Sequence, residues 1–178
     1  MAEPRILIAG IGNIFLGDDG FGCEVIARLD RRPWPDNVRV VDFGIRGLDL
    51  AYALLDGFDA AILVDAVPSR NEGSEPGTVY VIEPNLCELD ETCSAELGEI
   101  PTLLDAHAMN PLKVLSLVKT MGGEFGRILL VGCVPLTLGP EEGQIGLSDP
   151  VAAAVDDAVS VVESLVKELL EGRRTTAA

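Results

Sequence analysis

Apolar residues fall into short runs that alternate with amphipathic stretches along most of the chain. Continuous apolar runs at 5–10, 60–67 and 127–136 are typical of parallel strands buried on both faces. A Val-rich run at 38–44 and the Thr, Val, Tyr and Ile residues of 78–83 predict two further strands. The run at 60–67 is the most apolar, so we expect it to be the central strand.

Apolar residues recur with helical spacing in four other segments, predicting helices at 20–32, 48–57, 110–123 and about 149–171. Asn110 is the expected N-cap of the third helix, with proline following it in the first turn.

The order of these elements predicts an α/β fold: an open, mostly parallel twisted sheet of about five strands with helices on both faces. The connection between 60–67 and 78–83 lacks a helix, so we expect these two strands to be antiparallel neighbours. The 178 residues are predicted to form a single domain, 1–178. Residues 84–106 are acidic and irregular, and we expect a mobile loop there.

The net charge of −16, from 13 basic and 29 acidic residues, argues against nucleic acid or anionic lipid as a partner. No apolar run reaches the roughly 18 residues that cross a membrane, and the N-terminus lacks the features of a signal peptide. We therefore expect a soluble, cytoplasmic protein with no membrane partner.

The four cysteines show neither a CxxC pair nor zinc-finger spacing. Cys23 and Cys133 lie within apolar patterns and are predicted to be small core residues. Cys87 and Cys93 lie in the acidic segment and are either surface thiols or an incidental pair. A structural disulfide is not expected in a cytosolic protein.

Ionisable residues follow the predicted strands where ligands bind in open α/β sheets, beyond the carboxyl ends of the strands. Asp18 and Asp19 come after the first strand, Asp65 ends the central strand, and His107 is the only histidine. Two carboxylates and one imidazole form a three-ligand set for a divalent first-row metal, with a coordination position left open.

Each of these residues also has a purely structural interpretation. A lone histidine such as His107 is often a satisfied core or surface residue, and Asp65 could cap a turn. The Asp18–Asp19 pair could cap the helix that follows, because the positive end of a helix favours carboxylates. The convergence of three such positions on one edge of the sheet is less easily explained without a site.

Other common sites do not fit the sequence. The dinucleotide motif GxGxxG would need glycine at position 15, which is Phe15, and the acidic pair would repel a pyrophosphate. The P-loop signature and the GxSxG nucleophile elbow are absent. A Ser-His-Asp or Cys-His arrangement would use His107 and leave Asp19 and Asp65 without a role.

Four motifs together resemble the NiFe-hydrogenase maturation endopeptidases. They are, in chain order, ILIAGIGNIFLGDDGFG, AAILVDAV, DAHAMNP and LVGCVPL with the later IGLSDPV. The resemblance extends from about Arg5 to about Leu170. It implies an endopeptidase that removes the C-terminal extension of a hydrogenase large-subunit precursor after nickel has been inserted.

The resemblance also implies roles for individual residues. Asp19, Asp65 and His107 match the family's metal-contacting positions, where the first position is either Glu or Asp. Asp18 and Asn13 are implied to support these residues without contacting the metal. The nickel is expected to arrive with the precursor, since two carboxylates and one histidine suit a metal already held by another protein. Whether nickel is catalytic or only positional stays open, and either aspartate could act as general base.

A turn after the second predicted strand departs from the family pattern. Many members have a DGGT-like sequence that is implicated in substrate recognition, and this chain has DFGIRG. Asp42 and Gly44 fit that turn, and Arg46 adds a charge that could bind a precursor carboxylate or be a solvated surface residue. The departure leaves the substrate hydrogenase undetermined.

Two other functions compete with the endopeptidase hypothesis. A non-catalytic nickel-sensing chaperone or binding module could use the same scaffold and ligands. A small-molecule hydrolase with its own bound metal is a third, weaker possibility.

Overall fold

The computed structural model describes residues 3–67, 73–85, 110–140 and 142–172. It contains five strands and four α-helices, with a short 3₁₀ helix at Gly17–Gly20. The strands are β1 (Ile6–Ile11), β2 (Val38–Gly44), β3 (Ala60–Ala66), β4 (Val79–Ile82) and β5 (Arg127–Cys133). The helices are α1 (Phe21–Leu29), α2 (Gly47–Leu55), α3 (Pro111–Thr120) and α4 (Asp149–Leu170).

The five strands form one open sheet in the order β2-β1-β3-β5-β4. β2, β1, β3 and β5 are parallel, and β4 pairs antiparallel with β5. The predicted fold class is therefore confirmed, and β3 is the central strand. The chain goes from β1 to β2 on one side and then returns to β3 on the other. The strand order thus reverses between β1 and β3.

Two apolar cores cover the two faces of the sheet. One core packs the buried faces of α1 and α4 against the sheet, and the other packs α2 and α3. Every residue of β1 and β3 is buried. These continuous apolar runs are explained by helices on both faces, which leave neither side of the central strands to water.

The prediction that β3 and β4 are antiparallel neighbours is wrong, because β5 lies between them. Six of the seven residues of β5 are buried, whereas all four residues of β4 are only partly buried. Burial therefore places the more apolar β5 beside β3 and leaves β4 at the edge.

The predicted helices are confirmed to within three residues at each end, and the Asn110 side chain caps α3 by accepting a 2.9 Å hydrogen bond from the Leu112 amide. Apart from Pro84 and Asn85, the segment expected to be mobile lies outside the described residues, as do Cys87 and Cys93. No helix in the described parts of the chain has the length and apolar character needed to span a membrane.

Candidate active site

Two glycines, one in the loop after β1 and one in α1, allow close backbone contacts that a side chain at either position would block. Gly12 has φ 135°, and a Cβ there would lie 1.8 Å from the Asp19 carbonyl oxygen. A Cβ on Gly22 would lie 2.2 Å from the Ile11 carbonyl oxygen and 2.3 Å from that of Val64. These contacts bring the start of α1 onto the carboxyl ends of β1 and β3. The loop thereby carries Asp18 and Asp19 to the point where the strand order reverses.

Asp19 is partly buried and accepts a 2.8 Å hydrogen bond from the Asn13 amide on its Oδ2. Burial raises the pKa of this carboxyl, and the Asn13 hydrogen bond offsets only part of the increase. The Asn13 side chain bonds within the same loop, where its Oδ1 accepts from the Phe15 amide at 3.0 Å. Asn13 therefore shapes the loop and holds the Asp19 carboxylate through its backbone amide.

Asp65 is the second carboxylate of the candidate site, and only 4% of its surface is exposed. Burial raises its pKa well above the usual range, and the charge of Asp19 raises it further. Asp19 is thus close enough for the two carboxylates to repel each other. Within the described ranges, no Lys or Arg forms an ion pair with either of them.

Asp18 is fully buried, and its contacts are entirely different from those of Asp19. Its two oxygens accept hydrogen bonds from the amides of Leu136 (2.8 Å), Thr137 (3.1 Å) and Ser148 (2.6 Å), and from the Ser148 hydroxyl (2.9 Å). Burial acts to raise the pKa of Asp18, but these hydrogen bonds outweigh it and lower the pKa below its usual value. Asp18 therefore joins the loop after β1 to the loop between β5 and α4.

The helix-capping interpretation of the acidic pair is wrong. The N-cap of α1 is Gly20, which has no side chain to cap the helix. The Asp19 and Asp18 carboxylates accept from the Asn13 and Leu136 amides, outside α1. The contribution of Ser148 could not be found from sequence, since a serine at the start of α4 indicates a helix cap. Its hydroxyl donates to Asp18 instead and makes no cap.

The turn after β2 lies beside the loop after β1, because the Gly12 amide donates to the Gly44 carbonyl at 3.0 Å. Asp42 Oδ1 accepts from the Gly44 amide at 2.9 Å, and Gly44 has φ 54°, a conformation that favours glycine. The Arg46 guanidinium donates to the carbonyls of Phe43, at 3.2 Å, and Asp42. It also reaches Asp49 at 3.4 Å. Arg46 thus holds the turn in shape.

Cys23 and Cys133 are buried free thiols, as predicted for core residues. Cys23 also lies beside the carboxylates, a position that its apolar sequence context did not reveal. Its Sγ donates to the Gly12 carbonyl at 3.5 Å. Burial and the nearby charges of Asp42, Asp19 and Asp65 raise its pKa to about 12, so the thiol is protonated at neutral pH.

The structure brings Asp19 and Asp65 together, with Asn13, Asp18 and the turn at 42–46 around them. His107, the third predicted ligand, lies outside the described residues. Across the described part of the chain, no group of three Cys, His, Asp or Glu side chains could hold a metal ion. Two carboxylates that form no ion pair within the described ranges suit a divalent cation, because they supply hard oxygen donors and their mutual repulsion falls when a cation binds.

Comparison with known proteins identifies a family. The hydrogenase maturation protease family model matches residues 23–165. The hydrogenase 2 maturation protease of Escherichia coli is 30% identical over 169 residues, covering 92% of each chain.

Solved structures lead to the same family. The E. coli hydrogenase maturating endopeptidase HybD has a TM-score of 0.68 at 28% identity, covering 92% of this chain and 93% of its own. A hydrogenase 2 maturation peptidase from a thaumarchaeon has a TM-score of 0.66 at 31% identity, covering 92% of this chain and 98% of its own. The family model, these relatives and the shared fold show that this chain belongs to the hydrogenase maturation protease family.

Proposed function

We propose that this protein is an endopeptidase that removes the C-terminal extension of a NiFe-hydrogenase large-subunit precursor after nickel insertion. Family membership supports the maturation protease activity. We propose further that Asp19, Asp65 and His107 recognise the precursor through its nickel ion. The nickel then belongs to the substrate and is not a resident cofactor.

The observation that carries this proposal is the approach of two carboxylates at the reversal of strand order, with no Lys or Arg of the described residues paired to either. Keeping both ionised costs free energy unless a cation is shared between them. A cation supplied by the substrate would remove this cost only when the precursor is loaded. The site would therefore distinguish loaded precursor from empty precursor.

Peptide hydrolysis requires a water molecule to add to the scissile carbonyl carbon, after which the carbon–nitrogen bond breaks and the amine takes a proton. A nickel ion in the precursor would supply a Lewis acid near this carbonyl. Asp19 is partly exposed, so it can reach the substrate and accept a proton from the attacking water. Asp65 is almost fully buried and is better placed to bind the cation than to exchange protons with solvent.

The turn at 42–46 is proposed to contact the precursor beside this site. Asp42 and Gly44 would form the part of the turn that meets the precursor. Arg46 would act mainly by holding the shape of the turn, since its guanidinium forms hydrogen bonds within it. An exposed guanidinium could also bind a precursor carboxylate with its remaining donors.

The test uses purified large-subunit precursor from the same organism, loaded with nickel or free of it. We expect wild-type protein to shorten only the loaded precursor and Asp65→Asn to shorten neither. Asp36→Asn is the matched control, since Asp36 is an exposed aspartate away from the site. Wild-type protein that binds loaded precursor without shortening it would instead indicate a nickel-sensing binding module.

A further inference from the structure

Five large apolar side chains are exposed around the candidate site. Their exposed fractions are 53% for Ile14, 57% for Phe15, 59% for Leu136, 45% for Leu138 and 81% for Ile145. We call these five residues the apolar rim. They come from only two segments, the loop after β1 and the loop between β5 and α4. Exposed apolar surface concentrated at one place indicates an interaction site more than scattered exposure does.

Backbone hydrogen bonds join the two loops that form the apolar rim. The Gly17 amide donates to the Gln144 carbonyl at 2.7 Å, and the Gln144 amide donates to the Phe15 carbonyl at 2.7 Å. The Asp18 amide donates to the Thr137 carbonyl at 3.2 Å. These bonds lie between the exposed side chains, so the rim is presented by a connected backbone. A surface fixed in this way loses little conformational entropy when it binds.

A groove of about 530 Å³ runs between the two loops, within the range of roughly 300–1,000 Å³ typical of ligand pockets. Ile14 and Ile145 both line it, together with Leu147 and Val155. At its other side the groove reaches Cys23 and Asp42. Gly20, which directly follows Asp19, also lines the groove, and Cys23 Sγ contacts the Gly12 carbonyl of the same loop, so the groove lies beside the loop that carries Asp19.

We propose that the apolar rim and this groove bind an apolar segment of the precursor polypeptide. This inference rests on the proposed function and adds a docking surface to it. The loop that carries Asp19 also carries Ile14 and Phe15, so a peptide bond presented to Asp19 brings its neighbouring residues onto the rim. An apolar residue of that polypeptide would be buried against Ile14 and Ile145.

The charges along the groove limit which segment can bind. Glu24 and Asp42 line it, and among the residues that the structure describes Arg28 is its only basic lining residue. Arg28 is already paired with Glu24 and Asp156. An acidic side chain would thus meet two carboxylates and no unengaged cation. The segment is therefore apolar and free of acidic side chains.

The experiment measures KM and kcat for cleavage of full-length, nickel-loaded precursor by wild-type protein, Ile14→Ser and Ile145→Ser. Met121→Ser is the matched control, because Met121 is 40% exposed and lies at the end of α3, away from the rim. Each rim variant should raise KM about tenfold with kcat within about twofold, as expected for losing most of one buried aliphatic contact. The conservative variant Ile145→Val should keep most of the apolar contact and have a KM close to wild type. Met121→Ser should have wild-type KM and kcat.

Three results would contradict the docking proposal, provided that the wild-type protein cleaves loaded precursor. They are unchanged KM in both rim variants, a fall in kcat without a rise in KM, and an equal rise in KM for Met121→Ser. Occupation of the rim by a second copy would also overturn it. Size-exclusion chromatography would then show a wild-type dimer that Ile145→Ser converts to an active monomer with unchanged KM. Failure of the wild-type protein to cleave loaded precursor would instead reject the proposed function.

Discussion

Asp18 and Asp19 are neighbours in sequence with opposite environments. The Asp18 carboxylate is fully buried and accepts four hydrogen bonds from the loop between β5 and α4, and its pKa is lowered. The Asp19 carboxylate is partly exposed, accepts one bond from Asn13 and lies near another carboxylate, and its pKa is raised. The first is stabilised by the protein alone, and the second is left with bonding capacity for a ligand.

The contrast shows that partners from elsewhere in the chain decide what an acidic residue does. Leu136, Thr137 and Ser148 are more than a hundred residues from Asp18 and satisfy its charge with backbone and hydroxyl donors. Asp19 instead lies near Asp65 at the reversal of strand order, close enough for its charge to raise the pKa of Asp65. A structural carboxylate and a carboxylate proposed to bind a ligand can therefore be adjacent in sequence.

The largest expected effect is on catalysis. Asp19→Asn, Asp65→Asn and His107→Ala should each reduce precursor trimming by about a thousandfold or more, because each removes a proposed contact with the substrate's metal. The measurement is the rate of shortening of nickel-loaded precursor on denaturing gels. The thermal unfolding midpoint of Asp19→Asn should stay close to that of the wild-type protein. Wild-type trimming rates in all three variants would reject the site.

Replacing Asp18 should affect stability first. Asp18→Asn leaves buried amide donors facing a group that cannot accept from all of them, so the free energy of unfolding should fall by about 2–4 kcal/mol. Urea denaturation measures this change. Ser148→Ala is the partial control, because it removes only the hydroxyl bond and should cost about 1 kcal/mol. An Asp18→Asn protein as stable as wild type would show that these bonds contribute little.

The sequence predicts the scaffold well because burial controls it. The continuous apolar runs of β1 and β3 and the capping of α3 by Asn110 follow from local pattern, and all are confirmed. The position of β4 was not predictable in the same way, since the choice between β3 and β5 as partner depends on which strand the rest of the fold buries.

The candidate site was predictable only in part. The positions of Asp19 and Asp65 follow from the rule that ligands bind at the carboxyl ends of strands. The bonds from Ser148 to Asp18 and the approach of Cys23 to the carboxylates arise from tertiary packing and leave no local signal. The roles of Asp19, Asp65 and His107 as metal ligands stay predictions.

Removing the Asp65 charge should make the metal-free protein more stable, by about 0.5–2 kcal/mol at pH 8. The pKa of Asp65 is raised in the folded state, so the native protein loses stability as pH rises from the unfolded value of 3.8 toward the folded pKa. The gain from Asp65→Asn should therefore be larger at pH 8 than at pH 5. Urea denaturation in the presence of a chelator at both values tests this. A gain that shrinks with rising pH would contradict the sign.

The smallest expected effect uses the two buried thiols as reporters of the two aspartates. Burial, the larger cause, and nearby charges together raise the pKa of each thiol to about 12, and these charges include Asp19 for Cys23 and Asp18 for Cys133. Asp19→Asn should speed alkylation of Cys23 by about 2–10-fold, since losing one negative charge eases thiolate formation, and should leave Cys133 unchanged. Peptide mass mapping after timed iodoacetamide treatment separates the two rates in one sample. Equal acceleration at both cysteines would mean that the substitution loosens the whole fold, and that Asp19, like Asp18, is structural.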